Sequence, residues 1–597
     1  MELKSAFGID NAKQMDVKET VDFFVPQKNF DRLLVKKNQI LLGSRGSGKT
    51  TWVRMLAHDH LYLASKIKST RTDYARRALE KNLIGVYVPA SAAFTGDLKN
   101  KSWQSELEAE NYFVWRLNLH VCSALTHIIE SCVNQYSIED DLNKTEALIK
   151  KICLLLGKAW SDGKEEVHSV DNLRLLLTTI ELRHQKELRI RRMSSVKNDP
   201  YEDHFDTDLM LPFKNSINII KTVIKIPKDA VWMICLDEIE YLSTLHHRIL
   251  NSQIRSASSD LIFKMATMPF AHHTLATNFG DPVREGNDFE YINVDQESID
   301  RRGGHVEGDF LIFAREMFKR RIASKGKHLS SLDLKSLLGT SKIIESKRVN
   351  LDSDIDNIFY LLRKHANPAT IARAERLRGT PKFKDEIIRK MHGALLLREA
   401  LSNNVGNSKM GIYSGELLVV RCADGNARRL MRIINLLIQK IEVDEKGLPN
   451  LPIDSVVQNQ ILNSVARDTI NRVQSEPPNG VVVKEYLSKI GEYFKWKFTS
   501  SKNLLGTDQY TSVKIESADG ENAQKFIKQA VQLSLMIPGP DITLKTGESE
   551  CTGVFHLAFL FSPYFNLLPR RNSAIRLSKA LSHSKGSIEE DGQQQLL

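Results

Sequence analysis

The sequence predicts an α/β fold: a five-stranded parallel sheet of phosphate-loop type carrying a helical insertion and a helical lid, followed by a C-terminal winged-helix-like α+β unit. Three observations predict it. The stretch Gln39 to Leu56, QILLGSRGSGKTTWVRML, passes from a short apolar strand through a glycine-rich turn into a helix. A second apolar run, VWMICLDEIEY from Val231 to Tyr241, ends in adjacent carboxylates. From about Gly308 to Ile441 the apolar residues recur at helical spacing.

A chain of 597 residues favours three or four domains over one. With 42% hydrophobic and 26% charged residues, wholesale disorder and low-complexity classes are excluded. The longest apolar run, Val554 to Leu568, is interrupted by His556, Ser562, Pro563 and Asn566. It falls short of a membrane span, so no membrane partner is expected. The start of the chain shows no apolar segment of signal-peptide length, which predicts neither secretion nor import. Six cysteines (Cys122, Cys132, Cys153, Cys235, Cys422, Cys551) stand far apart without a CxxC pair. This argues against a zinc ribbon or a disulfide framework and fits a reducing cytoplasm. Lys+Arg 84 against Asp+Glu 73 gives +11, an excess compatible with nucleic acid.

Gly43, Ser44, Arg45, Gly46, Ser47, Gly48, Lys49 and Thr50 match GxxxxGK[ST], with Thr51 next in the helix. Glycines let consecutive backbone N–H groups turn inward around phosphate oxygens, and the helix adds its positive end. ATP is the expected nucleotide. Lys49 would reach its β- and γ-phosphates, and the Thr50 hydroxyl would ligate Mg²⁺. The carboxylates of the second run fall at the C-terminal end of a central strand, where α/β sheets place ligands. Asp237 would hold Mg²⁺ through water, and Glu238 would orient and deprotonate the attacking water.

Three further strands complete the sheet: Leu83 to Val88, Leu261 to Thr267 and Tyr291 to Val294. Thr267 ends the strand after the acidic one, where such ATPases place a polar residue beside the terminal phosphate; Asn278 competes for that role, and a plain capping threonine is the alternative. Arg284, just before the last strand, is a candidate for the arginine that reaches a neighbouring subunit's γ-phosphate, against an ordinary surface arginine.

More than a hundred residues separate the second strand from the acidic one, which predicts an insertion at about 92–229. Its first part carries Val114, Leu117, Val121, Leu125, Ile128 and Cys132 on one helix face. Its later part, ELRHQKELRIRRM from Glu181, is basic, either a solvated face or a phosphate-contacting arm. The last lid helix opens DGNARRLMRIINLLIQKI, with Arg428 and Arg429 in its first turns, where cations oppose the helix dipole unless an anion compensates.

GSRGSGKT, then LDE after an apolar strand, then GNARRL opening a late lid helix, resembles the order in the AAA+ ATPases of the origin-recognition and helicase-loader (ORC/Cdc) group. The resemblance covers about residues 20 to 445. It implies that Arg428 is the sensor-two arginine and that a winged-helix DNA-binding domain follows. Two departures, the long insertion and Asn426 in place of the usual Asp, bring the chain closer to bacterial ORC-like and signal-transduction (STAND) ATPases, many of which serve mobile elements or antiphage defence.

The predicted organisation is a core at 1–300, a lid at 301–445 and a C-terminal unit at 446–597. In the last unit, helices around VVVKEYLSKIGEYF and AQKFIKQAVQLSLM precede extended segments DITLKTG and GVFHLAFLFSPYF. Arg570, Arg571, Arg576, Lys579 and Lys585 form a basic cluster that could contact duplex DNA. The sequence therefore predicts a homo-oligomeric ATPase that hydrolyses Mg-ATP and switches a DNA-associated assembly. The alternative is a STAND-like sensor that controls a separately encoded effector protein.

Overall fold

The computed structural model describes residues 7–8, 14–99, 103, 105–137, 142–193, 203–256, 260–295, 308–324, 332–344, 351–403, 410–442, 450–501, 509–542, 544–547 and 550–582. Lys585 lies outside the described residues.

Five strands form one all-parallel sheet: β1 (Gln39–Leu42), β2 (Leu83–Pro89), β3 (Val231–Asp237), β4 (Leu261–Thr267) and β5 (Glu290–Asn293), in the order β2-β3-β4-β1-β5. The three inner strands are buried along their whole length. Alternate residues feed two separate cores: Trp232, Ile234 and Leu236 join Ile40 and Leu42 on one face. Val231, Met233 and Cys235 join Leu41 and the loop-helix residues Trp52 and Val53 on the other. Because all five strands run the same way, their C-terminal ends, and the loops that follow Leu42, Asp237 and Thr267, share one edge of the sheet.

Between β2 and β3 the described residues form helices Ala92–Lys99, Glu106–Leu125, Ile129–Tyr136, Leu142–Trp160, Val170–Met193 and Leu211–Val223. The apolar face read from the sequence is the buried one: Leu117, Val121, Leu125, Ile128 and Cys132 lie in the core. Helices from Asp309–Ala323 to Ala427–Gln439 make up the lid region. All six cysteines are buried free thiols. Among the described residues no helix is long and apolar enough to cross a membrane.

The C-terminal region contains helices Ser455–Val473, Gly480–Ser500 and Gly520–Gln532 and a second sheet of β6 (Tyr510–Ile515), β7 (Met536–Pro538), β8 (Gly553–Leu557) and β9 (Ser573–Arg576), in the order β7-β8-β6-β9. β8 pairs antiparallel with both β6 and β7, and β9 adds in parallel to β6. Two sequence expectations are corrected here. DITLKTG is not a strand of this sheet, because it lies against the loop that follows β4: Leu544 O accepts from Phe270 N–H at 3.1 Å, and Gly547 N–H donates to His272 O at 3.2 Å. GVFHLAFLFSPYF is extended only to Leu557; Phe559–Phe561 and Ser562–Phe565 are helical turns.

Gly85 marks the tightest approach in the main sheet. A Cβ there would lie 1.9 Å from Leu56 O, a backbone atom. Gly85→Val is therefore expected to lower unfolding stability by about 3 kcal/mol, read from urea denaturation of the purified chain.

Candidate nucleotide site

The loop after β1 is held open by its backbone. Gly43 N–H donates to Thr267 O at 3.2 Å, tying the loop to the end of β4. Gly46 (φ +90°) and Gly48 (φ +104°) occupy conformations that L side chains rarely adopt. Helix Lys49–Arg54 begins without a side-chain cap, so its first N–H groups are available to an anion. Lys49 is buried, and its Nζ donates to Gly43 O at 2.5 Å and Ser44 O at 3.1 Å.

Asp237 ends β3 fully buried. Its carboxylate accepts from the Thr50 hydroxyl, from Tyr87 OH at 3.1 Å and from Glu238 N–H at 3.0 Å. Burial raises its pKa while the Thr50 bond and the Lys49 charge pull the other way. The chain then turns sharply: Glu238 has φ 63° and ψ 34°, a left-handed conformation uncommon for a non-glycine residue. Glu240, one turn on, was not singled out from the sequence although it lies in the same LDEIEY run. Its Oε2 is buried without a hydrogen-bond partner, and burial pushes its carboxyl up to about 7, with Lys49 opposing. Thr267 Oγ1 and Ser47 Oγ are likewise buried without partners.

The loop faces a cavity whose other walls are Met15, Phe23, Phe24 and Gln27 before β1, and Phe313, Met317, Arg321, Arg428 and Met431 from the lid. Uncapped amides at a helix start on one side, and aromatic and thioether side chains on the other, suit a purine nucleotide. Gln27 Oε1 is buried there without a partner. The orphaned oxygens of Ser47, Thr267 and Gln27, with the Thr50–Asp237 pair, fit a Mg-nucleotide. Thr50 and Asp237 could hold the metal, and Lys49 with the loop amides the phosphates.

Of the other candidates, Asn278 is not brought to the loop: its Nδ2 donates to Glu110 Oε1 at 2.7 Å in the insertion. Arg284 is exposed in the turn before β5, its N–H held by Asp288 at 2.8 Å. Arg428 is exposed on the cavity wall, and its N–H donates to Gly46 O at 3.2 Å. Its neighbour Arg429 is buried instead, donating to Asp424 at 2.7 Å and to Ser534 O at 2.7 Å. Two pairs of adjacent histidines, His246-His247 and His272-His273, meet in space. His247 lies 5.3 Å from His272 and 4.9 Å from His273, ring to ring. Ile239 O holds His247, Asn251 holds His272, and burial pushes their pKa values down to about 3 and about 4. Among the described residues no cluster could hold a metal ion through three His, Cys, Asp or Glu groups.

A feature with no sequence signal is the joint on the phosphate loop. Asn426 Nδ2 donates to Arg45 O at 2.7 Å and to Ser534 Oγ at 3.1 Å, and Ser534 Oγ donates to Ser44 Oγ at 2.5 Å. Arg45 N–H donates to Gln532 O at 2.7 Å, and its guanidinium pairs with Glu476 at 2.7 Å. Asp295, just past β5, accepts from Ser44 N–H at 3.0 Å and Ser44 Oγ at 2.9 Å. Lid and C-terminal region therefore meet on Ser44 to Gly46.

The basic cluster does not present a single exposed patch. Arg570 is half-buried and donates to Lys390 O and Gln509. Arg571 is half-buried, with a buried Nε. Arg576 and Lys579 are exposed, Arg576 at 3.8 Å from Glu516.

A parallel sheet with this loop, these carboxylates and a covering lid defines a phosphate-loop nucleotide-binding α/β protein. The chain belongs to the ORC-CDC6-like family, whose model matches residues 5–577, and that membership makes it an AAA+ ATPase by family. No protein of curated function matches it.

Glu240 generates a pH prediction. Its folded pKa of about 7 lies above the ordinary value of 4.5, so Glu240's own contribution to stability is fully present below 4.5 and is lost as pH rises through about 7. Glu240→Gln is expected to melt close to wild type at pH ~5 and a few degrees above it at pH ~8, in nucleotide-free protein. Asp424 generates a second. Its carboxylate also accepts from Phe559 N–H at 2.8 Å and Leu560 N–H at 3.1 Å. Asp424→Ala strands the buried Arg429 and is expected to cost about 3–5 kcal/mol in urea unfolding.

Proposed function

We propose that the chain binds and hydrolyses Mg-ATP at this site and works as a nucleotide-dependent switch in a DNA-associated assembly. Lys49 and the loop amides hold the β- and γ-phosphates, and Thr50 and Asp237 hold Mg²⁺. Glu238 orients and deprotonates water, with Thr267 beside the terminal phosphate and Arg428 reaching over it from the lid. Arg284 serves a neighbouring subunit's site. The chain works as three units, a core at 1–300, a lid at 301–445 and a C-terminal module at 446–597.

The observation that carries the switch is the shared contact on Ser44 to Gly46. The loop that would wrap the phosphates bonds to the lid through Asn426 on Arg45 O, and to the C-terminal region through Gln532 on Arg45 N–H and Ser534 on the Ser44 hydroxyl. Phosphates that reshape the loop must reshape those contacts, which is how a ligand biases a two-state element. A winged-helix reading of the C-terminal module is supported by the succession of helix Gly480–Ser500, β6, helix Gly520–Gln532 and the antiparallel pair β7–β8. Residues 544–547, between β7 and β8, are then a wing that rests on the core at Phe270 and His272.

A second reading, in which the module docks an effector protein, is favoured by the inward engagement of Arg570. ATP turnover with and without duplex DNA, at about 50 mM and about 200 mM salt, separates the two. DNA is expected to stimulate turnover at low salt, with Lys49→Ala and Glu238→Gln each slowing it about 10²-fold or more. Turnover indifferent to DNA, with no DNA binding at low salt, would leave the effector reading in place.

A further inference from the structure

Helix Val170–Met193 buries Leu173, Leu177 and Ile180 in the insertion and leaves its opposite face uncovered. Exposed residues recur along that face at three- and four-residue steps: Asp171, Leu175, Thr179, Leu182, Lys186 and Arg189. Leu175 and Leu182 are 64% and 63% exposed, which is unusual for leucines spaced seven apart on one helix face. The stripe is also polarised. Asp171, with a side chain 90% exposed, stands at its first turn, where one carboxylate oxygen accepts from Arg174 at 3.0 Å; exposed Glu165 and Glu166 precede it, Glu166 pairing with Lys158 at 2.8 Å. Lys186 and Arg189 stand at the other end.

A stripe that is acidic at its start, apolar at its middle and basic at its end is complementary to itself when inverted. We propose that this face is a two-fold interface between two copies of the chain, with the two helices antiparallel. If residue i of one copy faces residue 357 − i of the other, Leu175 meets Leu182, Thr178 meets Thr179 and Lys186 meets Asp171. One register thus satisfies both the leucines and the charges. The leucines lie about 10 Å apart along the helix and the charged pair about 22 Å, so one straight helix presents the whole seam. Such a contact is isologous: each patch appears twice and no sticky edge remains. A parallel arrangement sets Asp171 against Asp171 and Lys186 against Lys186 and is disfavoured by like charge. A single helix pair is small beside a standard interface, so the dimer is weak, with a Kd of about 1–50 µM.

Sedimentation velocity of the full-length chain from about 1 to about 100 µM reads this directly. Wild type is expected to shift from monomer to dimer across that range. Leu182→Glu is expected to raise Kd at least about 10-fold, and Lys186→Glu about 3–10-fold by setting it against Asp171. The decisive variant is Lys186→Glu combined with Asp171→Lys, which restores opposite charges in the antiparallel register and is expected to return Kd to within about 3-fold of wild type. These side chains are exposed, so far-UV circular dichroism should be unchanged in every variant. A chain that stays monomeric to about 100 µM, a dimer indifferent to Leu182→Glu, or a double variant no tighter than Lys186→Glu alone would each overturn the proposal.

Discussion

Lid and C-terminal region are joined beside the phosphate loop by one buried ion pair, Asp424 with Arg429 at the start of helix Ala427–Gln439. Both groups are almost wholly removed from water. Burial pushes the Asp424 carboxyl up to about 6 and the Arg429 guanidinium down, each opposed by the charge of the other. Such a pair persists only when its remaining hydrogen-bonding capacity is met. Here the carboxylate also takes the N–H groups of Phe559 and Leu560, and the guanidinium takes Ser534 O. These partners come from the C-terminal region, so satisfying the pair fixes that region against the lid. Asn426, between the two charges in sequence, then reaches Arg45 O.

The sheet supplies the complementary half of the site. Parallel strands buried on both faces deliver the glycine loop, the carboxylates and Thr267 to one edge, because every chain leaves the sheet there. Polar side chains at that edge are buried, and Ser47, Thr267 and Glu240 keep oxygens that no protein group satisfies. In a stable fold such atoms mark where a ligand or its water completes the bonding.

Much of this was legible in the sequence. The glycine loop, the acidic strand end and the five strands follow from local patterns, since periodicity and turn chemistry are set by residues adjacent in the chain. Strand β4 spans the residues expected, and β5 shifts by one. Glu240 was legible and overlooked, being a third acid two residues past Glu238. The joint was not legible, because Ser44 and Ser534 are 490 residues apart, and nothing in a serine or an asparagine announces a contact at that range. Long-range contact also explains DITLKTG: its alternation suits a strand, and its docking on Phe270 and His272 overrides that local preference. The histidines show the converse, two sequence pairs that gather in space but answer to Ile239, Asn251 and Tyr291 as buried structural groups.

The central claim is that nucleotide, lid and C-terminal region meet on one loop and move together. Amide hydrogen exchange of the full-length chain, with and without Mg-ATP, tests it most directly. Protection is expected to rise in 43–51 and, in the same experiment, to change in 532–534 and 559–560. A change confined to 43–51, with the C-terminal segments exchanging as before, would contradict it.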